Sequence, residues 1–278
     1  MSRHDLKHVC GVFGAYNIPH ASNLCFYGLY AVQHRGQEGA GIVTQEKSQF
    51  FVVKDAGLVS DTFNKESLAY LKGNAGIGHV RYSTTGGSDK ANIQPMYSKT
   101  MKGKIAIAHN GNITNAYKLY NELKKNGALF QSTVDSEVIL HLFAKSTKKS
   151  AIDAMLHTLQ QLEGAFSLVA LGDGYLMAAR DSNGFRPLVL GKLGKGYVVA
   201  SETCAFDLIE AEYIREIEPG ELVYIDQNGL QSFRIAPPLP KLNKCIFEHV
   251  YFARPDTLLF GENVYLTRKE MGRYLARQ

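Results

Sequence analysis

Cys10 is the residue in this sequence best suited to covalent chemistry. It stands in the stretch HDLKHVCGVFGAY, between a polar leader and an apolar run that favours burial. A thiol needs a nearby base before it attacks an amide at neutral pH, and His8, two residues away, would point to the opposite face of a strand. Cleavage after Val9 would give Cys10 a free α-amine with a pKa of about 7.7–8.0, which could take the thiol proton. The competing interpretation is a small buried core cysteine.

Three further stretches each run from an apolar strand into a polar, glycine-rich loop, where binding sites are commonly built. They read AVQHRGQEGAG, GHVRYSTTGG and AIAHNGNIT. In the last of them, the Asn110 side chain offers an NH₂ donor, and Gly111 offers a backbone N–H that no Cβ shields. Such donors could form an oxyanion hole for acyl transfer from an amide. An Asn-Gly pair is also a common turn, so the residues alone leave both interpretations open.

Two charged residues could bind a small substrate that has both a carboxylate and an ammonium group. Arg81, at the end of a predicted strand, could hold a carboxylate through two parallel hydrogen bonds, or it could form an ordinary surface ion pair. Asp135, at the start of a predicted helix, could hold an ammonium, although a carboxylate at this place also stabilises the helix itself. His4, His8 and Cys10 lack the spacing of a metal site, so no metal is expected there.

The elements that would position these residues come in the order strands, helices, strands. Apolar patterning predicts early strands at Cys10–Ala15, Gly39–Thr44, Phe50–Lys54, Ala75–Val80 and Ile105–His109. It predicts helices at Ser22–Gln33, Asn115–Lys125, Asp135–Ala144, Ala151–Leu162 and Val264–Gln278. Hairpins are expected at Asp173-Gly174, at Asn228-Gly229 and in PLVLGKLGKGYVVAS. This order favours a layered α+β fold rather than alternating βαβ units.

The composition excludes several classes of protein. The 278 residues carry a net charge of +5 with scattered Lys and Arg, which gives no basic stripe for nucleic acid. No run of about 18 apolar residues is present, so no membrane span is expected. The N-terminus lacks the apolar core of a signal peptide. The four cysteines form no CxxC pair, which favours a reduced, cytoplasmic setting.

Several stretches, taken in their order, resemble the class II glutamine amidotransferases: CGVFG, QHRGQEGAG, GHVRYSTTG, AHNGNI and DSEV. The resemblance continues through DSNGFRPLVLG, VVASET and EPGELVYI, and HVYFARPD narrows it to the amidophosphoribosyltransferase family. It covers essentially the whole chain from Cys10 onward. It implies an α+β fold, a four-layer α-β-β-α sandwich of the N-terminal-nucleophile hydrolase type. It also implies a glutaminase that supplies ammonia to phosphoribosylpyrophosphate, in the first step of de novo purine synthesis.

The resemblance assigns roles to the residues that match its motifs. Cys10 is expected to be the nucleophile, freed by removal of residues 1–9, with its own α-amine as the general base. The catalytic residues are then expected to be Cys10, Asn110 and Gly111. The substrate-binding residues are expected to be Arg35, Gly36, Arg81, Thr84 and Asp135, with Arg35 and Gly36 in a loop that closes over the site.

The same resemblance predicts three segments. Residues 1–9 would be a cleavable leader, residues 10–239 the glutamine amidotransferase domain, and residues 240–278 a linker and the start of a phosphoribosyltransferase domain. The stretch IAPPLPKLN supports the linker, because prolines are frequent between domains. The acidic phosphate- and ribose-binding loop of the second domain is absent from this sequence. This chain alone is therefore expected to be at most a glutaminase.

Cofactors and partners follow from the resemblance alone. No cofactor is expected for the glutaminase step, whereas Mg²⁺, phosphoribosylpyrophosphate and a homo-oligomer are implied for the full-length enzyme. The long leader resembles the branch of the family that carries a structural [4Fe–4S] cluster, and Cys245 matches one of its ligands. A lone free cysteine is the alternative for Cys245.

Two other functions stay open at the level of the sequence. One is a glutaminase that serves a different acceptor, although HVYFARPD argues against it. The other is a non-catalytic regulatory subunit that keeps the fold.

Overall fold

The computed structural model describes residues 10–82, 90–237, 239 and 242–278. Their strands are β1 (Gly11–Tyr16), β2 (Gly39–Glu46), β3 (Gln49–Ala56), β4 (Ala75–Arg81), β5 (Met96–Thr100), β6 (Gly103–Ile113), β7 (Gly164–Gly172), β8 (Tyr175–Arg180), β9 (Val189–Leu193), β10 (Gly196–Ala200), β11 (Glu212–Glu216), β12 (Glu221–Asp226), β13 (Gly229–Arg234), β14 (Leu258–Leu259) and β15 (Glu262–Asn263). Their helices are α1 (Ala21–Ala31), α2 (Val59–Thr62), α3 (Lys65–Tyr70), α4 (Ala116–Lys125), α5 (Glu137–Lys145), α6 (Ala151–Leu159), α7 (Cys204–Ile209) and α8 (Val264–Leu275). Short 3₁₀ turns lie at Gln33–Arg35 and Lys90–Asn92, and a π-helical turn lies at Glu248–Phe252.

Two antiparallel sheets form the centre of the molecule. The first sheet has the strand order β11-β9-β10-β1-β4-β2-β3, and the second has the order β13-β12-β8-β7-β6-β5. Apolar side chains of both sheets pack together between them, among them Val12, Ile77, Ala108, Val169 and Leu176. Both central strands, β1 and β7, are buried on both faces, which explains why their sequences are continuously apolar rather than alternating.

Helices cover the outer face of each sheet. Leu29 of α1, Val59 of α2 and Phe206 of α7 pack on the first sheet. On the second sheet, the covering helices are α4, α5 and α6, whose buried side chains include Phe143 and Met155. The layers are therefore helix, sheet, sheet, helix, and the expected four-layer sandwich is confirmed.

The elements that apolar patterning predicted are found within a few residues of their expected ends. The three expected hairpins are β7–β8, β9–β10 and β12–β13. The elements that the patterning missed are short: α2, α3, α7, β5, β11, β14 and β15. A helix of four to six residues spans too few turns to show a 3.6-residue period. For this reason the region between Gly164 and the proline-rich linker, predicted as strands alone, also contains α7.

The segment after residue 242 forms a small apolar cluster of Ala253, Leu259 and Val264. It also hydrogen-bonds to the sandwich, because the Leu258 N–H donates to Thr203 Oγ1 at 2.9 Å. The domain boundary expected near residue 240 stays a prediction. Hydrogen bonds such as this one connect the residues on its two sides. In the part of the chain described, no helix is both long enough and apolar enough to cross a membrane.

Candidate active site

Cys10 lies directly before β1 of the first sheet and contacts Asn110 on β6 of the second sheet. Its N–H donates to Asn110 Oδ1 at 3.3 Å, and its carbonyl accepts from Arg35 Nε at 2.9 Å. Its Sγ lies 3.8 Å from the carbonyl oxygen of Tyr82. The β1–β4 register pairs Gly11 with Val80, so Cys10 continues alongside the last residues of β4. Three separate parts of the chain therefore hold this one residue.

The surroundings of Cys10 keep its thiol protonated. Burial raises the pKa of this thiol above its usual value, and the negative charge of Asp135 raises it further. The hydrogen bond to Tyr82 and the charges of Arg35 and Arg81 lower this pKa, but they do not outweigh the burial. The thiolate is the nucleophilic form. Attack on an amide at this site therefore requires a base that removes the proton.

Asn110, on β6, presents two different groups near Cys10. Its side chain is fully buried and its Oδ1 accepts the Cys10 N–H. Its Nδ2 is also buried, and it has no hydrogen-bond partner among the described residues. A buried NH₂ without a partner costs free energy unless a ligand satisfies it. This group is well placed to donate to a negative oxygen that forms beside Cys10.

Gly111 follows Asn110 at a place where only glycine fits. A Cβ built there would lie 2.0 Å from the carbonyl oxygen of Ala165 and 2.7 Å from His109 Nε2. The tight fit comes from the β6–β7 pairing, which places Gly111 opposite Phe166. The Gly111 backbone is therefore reachable without a side chain in the way.

Asp135 lies at the turn into α5 and is held in one orientation. Its Oδ2 accepts the N–H of Ile113 at 2.8 Å, and its Oδ1 accepts from the Ser136 hydroxyl at 3.1 Å. The side chain is 20% exposed, so the carboxylate can still meet a ligand. Ile113 is on the same strand as Asn110, and this strand brings Asp135 to the Cys10 end of the molecule.

His109 was not recognised from the sequence, although it belongs to this site. Its Nδ1 lies 2.8 Å from Ser136 Oγ. Its Nε2 is buried beside Gly111 without a partner among the described residues. The signal available in the sequence was its place directly before Asn110.

Arg81 and Gly36 meet at the end of β4. Arg81 is the last residue of this strand, and its carbonyl accepts the N–H of Glu38 at 3.0 Å. A Cβ on Gly36 would lie 2.6 Å from the Arg81 carbonyl carbon, so this close approach requires glycine. Both residues lie near Cys10, whose pKa the Arg81 charge lowers. Thr84, the other residue expected to bind glutamine, lies outside the described residues.

Arg35 differs from its expected place in a loop over the site. It lies in the 3₁₀ turn at Gln33–Arg35 and is fully buried. Its guanidinium donates to Glu202 Oε1 at 2.5 Å and to both oxygens of Glu248, at 2.8 and 3.0 Å. With the Cys10 carbonyl, these four hydrogen bonds turn Arg35 away from solvent and toward the cysteine backbone. Its contact with substrate stays a prediction, and the geometry gives it a supporting place instead.

Cys245 lies apart from the other cysteines. Its Sγ is 3.8 Å from Arg186 Nη1, whereas Cys25 and Cys204 are buried beneath the first sheet's helices. Burial raises the pKa of Cys204 to about 12, and it also raises the pKa of Cys25. No group of three or more His, Cys, Asp or Glu side chains among the described residues could hold a metal. The described residues alone do not fit a four-thiolate cluster, so the expected [4Fe–4S] cluster stays a prediction.

Comparison with known proteins matches this chain to one family. A family profile described as a glutamine amidotransferase domain matches residues 79–207, the region that contains Arg81, Asn110 and Asp135. A structure of glutamine phosphoribosylpyrophosphate amidotransferase from B. subtilis, complexed with ADP and GMP, superposes with a TM-score of 0.92 at 40% identity, over 97% of this chain and 58% of that one. The chain carries the glutamine amidotransferase domain of the amidophosphoribosyltransferase family. The expected family is therefore confirmed.

Curated relatives agree with this family assignment. The chloroplastic amidophosphoribosyltransferase of Vigna aconitifolia is 48% identical over 97% of this chain and 55% of its own length. That of Bacillus subtilis is 41% identical over 98% of this chain and 57% of its own length. The chain thus spans somewhat more than half the length of these family members. Because some relatives are named as chloroplastic, the expected cytoplasmic location stays a prediction.

Proposed function

We propose that this chain hydrolyses the side-chain amide of glutamine through a thioester on Cys10. The observation that carries this proposal is the arrangement of the Asn110 side-chain amide. One end of its amide holds the Cys10 nitrogen, and the other end is a buried donor without a partner among the described residues. An acceptor that appears beside Cys10 during the reaction would satisfy this donor.

Substrate binding uses the two charged residues of the site. Arg81 holds the α-carboxylate of glutamine through charge-assisted hydrogen bonds, and the resemblance assigns Thr84 to the same ligand. The partly exposed Asp135 carboxylate accepts the α-ammonium, and its hydrogen bonds from Ile113 and Ser136 fix its direction. Glutamine is then placed with its side-chain carbonyl next to Cys10. Opposite charges at the two ends select an α-amino acid over a simple amide.

The reaction proceeds in two steps. The Cys10 thiolate attacks the amide carbon, and Asn110 Nδ2 and the Gly111 N–H stabilise the tetrahedral oxyanion. The amide nitrogen takes a proton from the base and leaves as ammonia, which gives a γ-glutamyl thioester. Water then attacks the thioester, so glutamate is released and the thiol is restored.

The base in this proposal is the α-amine of Cys10, set free by removal of residues 1–9 as a propeptide. Support comes from the raised pKa of the thiol, which requires a base. Further support comes from the Cys10 nitrogen itself, since Asn110 Oδ1 fixes its position. An amine on the nucleophile's own residue can reach the thiol proton directly or through one water.

For the whole protein we propose the amidophosphoribosyltransferase reaction. Ammonia from the Cys10 site displaces pyrophosphate from phosphoribosylpyrophosphate and gives 5-phosphoribosylamine. Residues outside this chain would bind that substrate together with Mg²⁺, in a homo-oligomer in the cytoplasm. The names of the relatives support this reaction. Phosphoribosylamine formation by the full-length protein, compared with acceptors such as fructose 6-phosphate or aspartate, separates this reaction from other glutamine-dependent syntheses.

The experiment that tests the glutaminase proposal is Asn110→Asp, with intact mass used to confirm that Cys10 is the first residue. Aspartate keeps an oxygen for the Cys10 nitrogen but removes the NH₂ donor. We expect kcat for glutamate release to fall by about 10²–10³-fold. Asn112→Asp on the same strand is the matched control, because Asn112 is exposed, and it should keep wild-type kcat. Equal activity of the two variants would contradict the proposal.

A further inference from the structure

A buried cluster of four charged residues lies directly behind Cys10. It consists of Arg35, Glu202, Glu248 and Arg186, and we call it the ion-pair cluster. The side chains of Arg35, Glu202 and Glu248 have no solvent exposure, and that of Arg186 has 11%. Two carboxylates face two guanidiniums, so the formal charges of the cluster balance. Burial of so many charges is costly unless each one is paired.

The ion-pair cluster is joined to the nucleophile by a single hydrogen bond. Arg35 Nε donates to the Cys10 carbonyl at 2.9 Å, while its two terminal nitrogens are held by the carboxylates. A planar guanidinium that is fixed on one side has only one direction left for its Nε–H. The position of the carboxylates therefore sets the position of the Cys10 backbone.

Glu248 is the member that fixes Arg35 most completely. It binds Arg35 with both oxygens, at 2.8 and 3.0 Å, and it also accepts from Arg186 Nη1 at 3.1 Å. Glu202 contacts Arg35 with one oxygen, and its other partners include the Thr257 hydroxyl and the Arg254 N–H. Loss of the Glu248 charge would therefore free the guanidinium to turn.

We infer that Glu248 is a positioning residue for the glutaminase reaction, acting through Arg35 on the backbone of Cys10; this inference rests on the proposed function. Glu248 lies 213 residues from Arg35 in the chain, beyond the expected domain boundary. The segment around Glu248 is thus part of the support of the active site. The role of Glu248 differs from substrate binding, because the proposed glutamine-binding residues Arg81 and Asp135 lie on other elements.

This role predicts a particular kinetic signature. A displaced Cys10 would still leave Arg81 and Asp135 in place, so KM for glutamine should change little. Attack on the amide requires Sγ close to the carbon, and a misplacement of about 1 Å can cost about 10²-fold in rate. We expect kcat to fall while KM stays within about twofold.

The test compares substitutions of two buried glutamates of the full-length protein, each bound to an arginine by both of its oxygens. Glu248→Gln keeps the shape of the side chain and removes its charge. The matched control is Glu221→Gln, because Glu221 is also buried and bound to Arg215 with both oxygens at 2.7 Å, on β12. Kcat, KM and the thermal midpoint are measured for each, with the mature N-terminus checked by intact mass.

We expect Glu248→Gln to lower kcat for glutamate release by about tenfold or more, with little change in KM. Glu248→Asp, which retains the charge on a shorter side chain, should recover part of this loss. Glu221→Gln should lower the thermal midpoint and leave kcat unchanged. If Glu248→Gln does not fold, Glu248→Asp decides: a reduced kcat at unchanged KM supports the inference, and wild-type kcat overturns it.

Other outcomes separate this inference from the proposed function. Wild-type kcat in folded Glu248→Gln, or an equal loss of kcat in Glu221→Gln, would overturn the positioning role. An increase in KM without a fall in kcat would also overturn it. Glutamine hydrolysis by Cys10→Ala would instead refute the proposed function, whatever the Glu248 variants do.

Discussion

The two sides of Cys10 are stabilised in opposite ways. On the side of the second sheet, two buried polar groups, Asn110 Nδ2 and His109 Nε2, have no partner among the described residues. On the other side, in the ion-pair cluster, Arg35 and Glu202 are buried and both are hydrogen-bonded. One side leaves hydrogen-bonding capacity unused, and the other uses it.

This difference indicates that the side with Asn110 takes part in the reaction, whereas the ion-pair cluster holds Cys10 in place. An unpartnered donor near a nucleophile lowers the stability of the resting protein, and it regains that free energy when an oxyanion forms. A balanced set of buried charges does the reverse, because any motion of one member leaves the others unpaired. We therefore expect substitutions on the two sides to differ in kind as well as in size.

The largest effect on activity should come from Cys10→Ala. Without the thiol there is no thioester, so glutamate release should be lost completely. The Cys10 thiol makes one long contact, with Tyr82 O at 3.8 Å, and the thermal midpoint should therefore move little. Glutamate release and thermal unfolding are measured on the same preparation. Cys25→Ala is the control, since that buried cysteine lies among the helices and should affect stability alone.

The largest effect on stability should come from Arg35→Met. It leaves Glu202 and Glu248 buried without their main cation, and breaking a buried pair costs about 3–5 kcal/mol. Urea unfolding measures this loss. Arg215→Met is the control, because the Arg215 side chain is 36% exposed, so water screens this pair and its loss should cost less than the loss of Arg35. Equal losses in the two variants would show that the ion-pair cluster has no special importance.

A smaller effect, confined to substrate binding, should come from Asp135→Asn. A hydrogen bond to a charged group contributes about 1.5–3 kcal/mol, so KM for glutamine should rise by about 10–100-fold. Kcat should stay nearly unchanged, because the thiol and the oxyanion donors remain in place. Asp153→Asn is a control on an exposed carboxylate. A fall in kcat at constant KM would place Asp135 in the chemical step instead of in binding.

The sequence and the resemblance named residues on the reacting side of Cys10, whose roles stay predictions, but they named none of the pairs in the ion-pair cluster. Cys10 lies directly before β1, Asn110 and Gly111 lie near the end of β6, and Asp135 lies at the turn into α5. Each of the motifs that contain these residues is weak alone, and their order along the chain is what carries the resemblance. The four layers could also be anticipated from the resemblance, and the order of elements gave the α+β class.

Glu202 and Glu248 could not be paired with Arg35 from the sequence. They lie 167 and 213 residues from it, and only the folded sheets bring them together. The available signal was a charged residue within an apolar stretch, as in CIFEHVYF, because a buried carboxylate requires a partner. That signal indicates that the carboxylate needs a cation as its partner, but it does not indicate which residue supplies the cation. The resemblance places Arg35 in a loop over the site, whereas the structure has it buried in the 3₁₀ turn at Gln33–Arg35.

The smallest effect we predict concerns acid stability, and it distinguishes the two sides by pH. Burial lowers the pKa of His79 to about 3. The Nε2 of His79 is hydrogen-bonded to the His109 carbonyl. An unfolded histidine has a pKa of about 6.5. The stability from neutral His79 is therefore complete above pH 6.5 and is lost as the pH falls toward 3. The Glu202 carboxylate has a pKa lowered to about 2, through the charge of Arg35 and the hydrogen bond from His34, against burial. Its contribution is lost only below about pH 4.5.

Urea unfolding at pH 7.5 and 5.5 tests this order of events. Between these values, the His79 contribution should fall by about 1 kcal/mol, while that of Glu202 stays. His79→Gln keeps a donor for the His109 carbonyl and does not titrate, so it should show a smaller loss over this range. Some loss should remain, because burial also lowers the pKa of His249. If His79→Gln loses as much free energy of unfolding between pH 7.5 and 5.5 as the wild type does, His79 is not the source of the acid sensitivity. The reacting side of Cys10 would then be no more sensitive to acid than the ion-pair cluster.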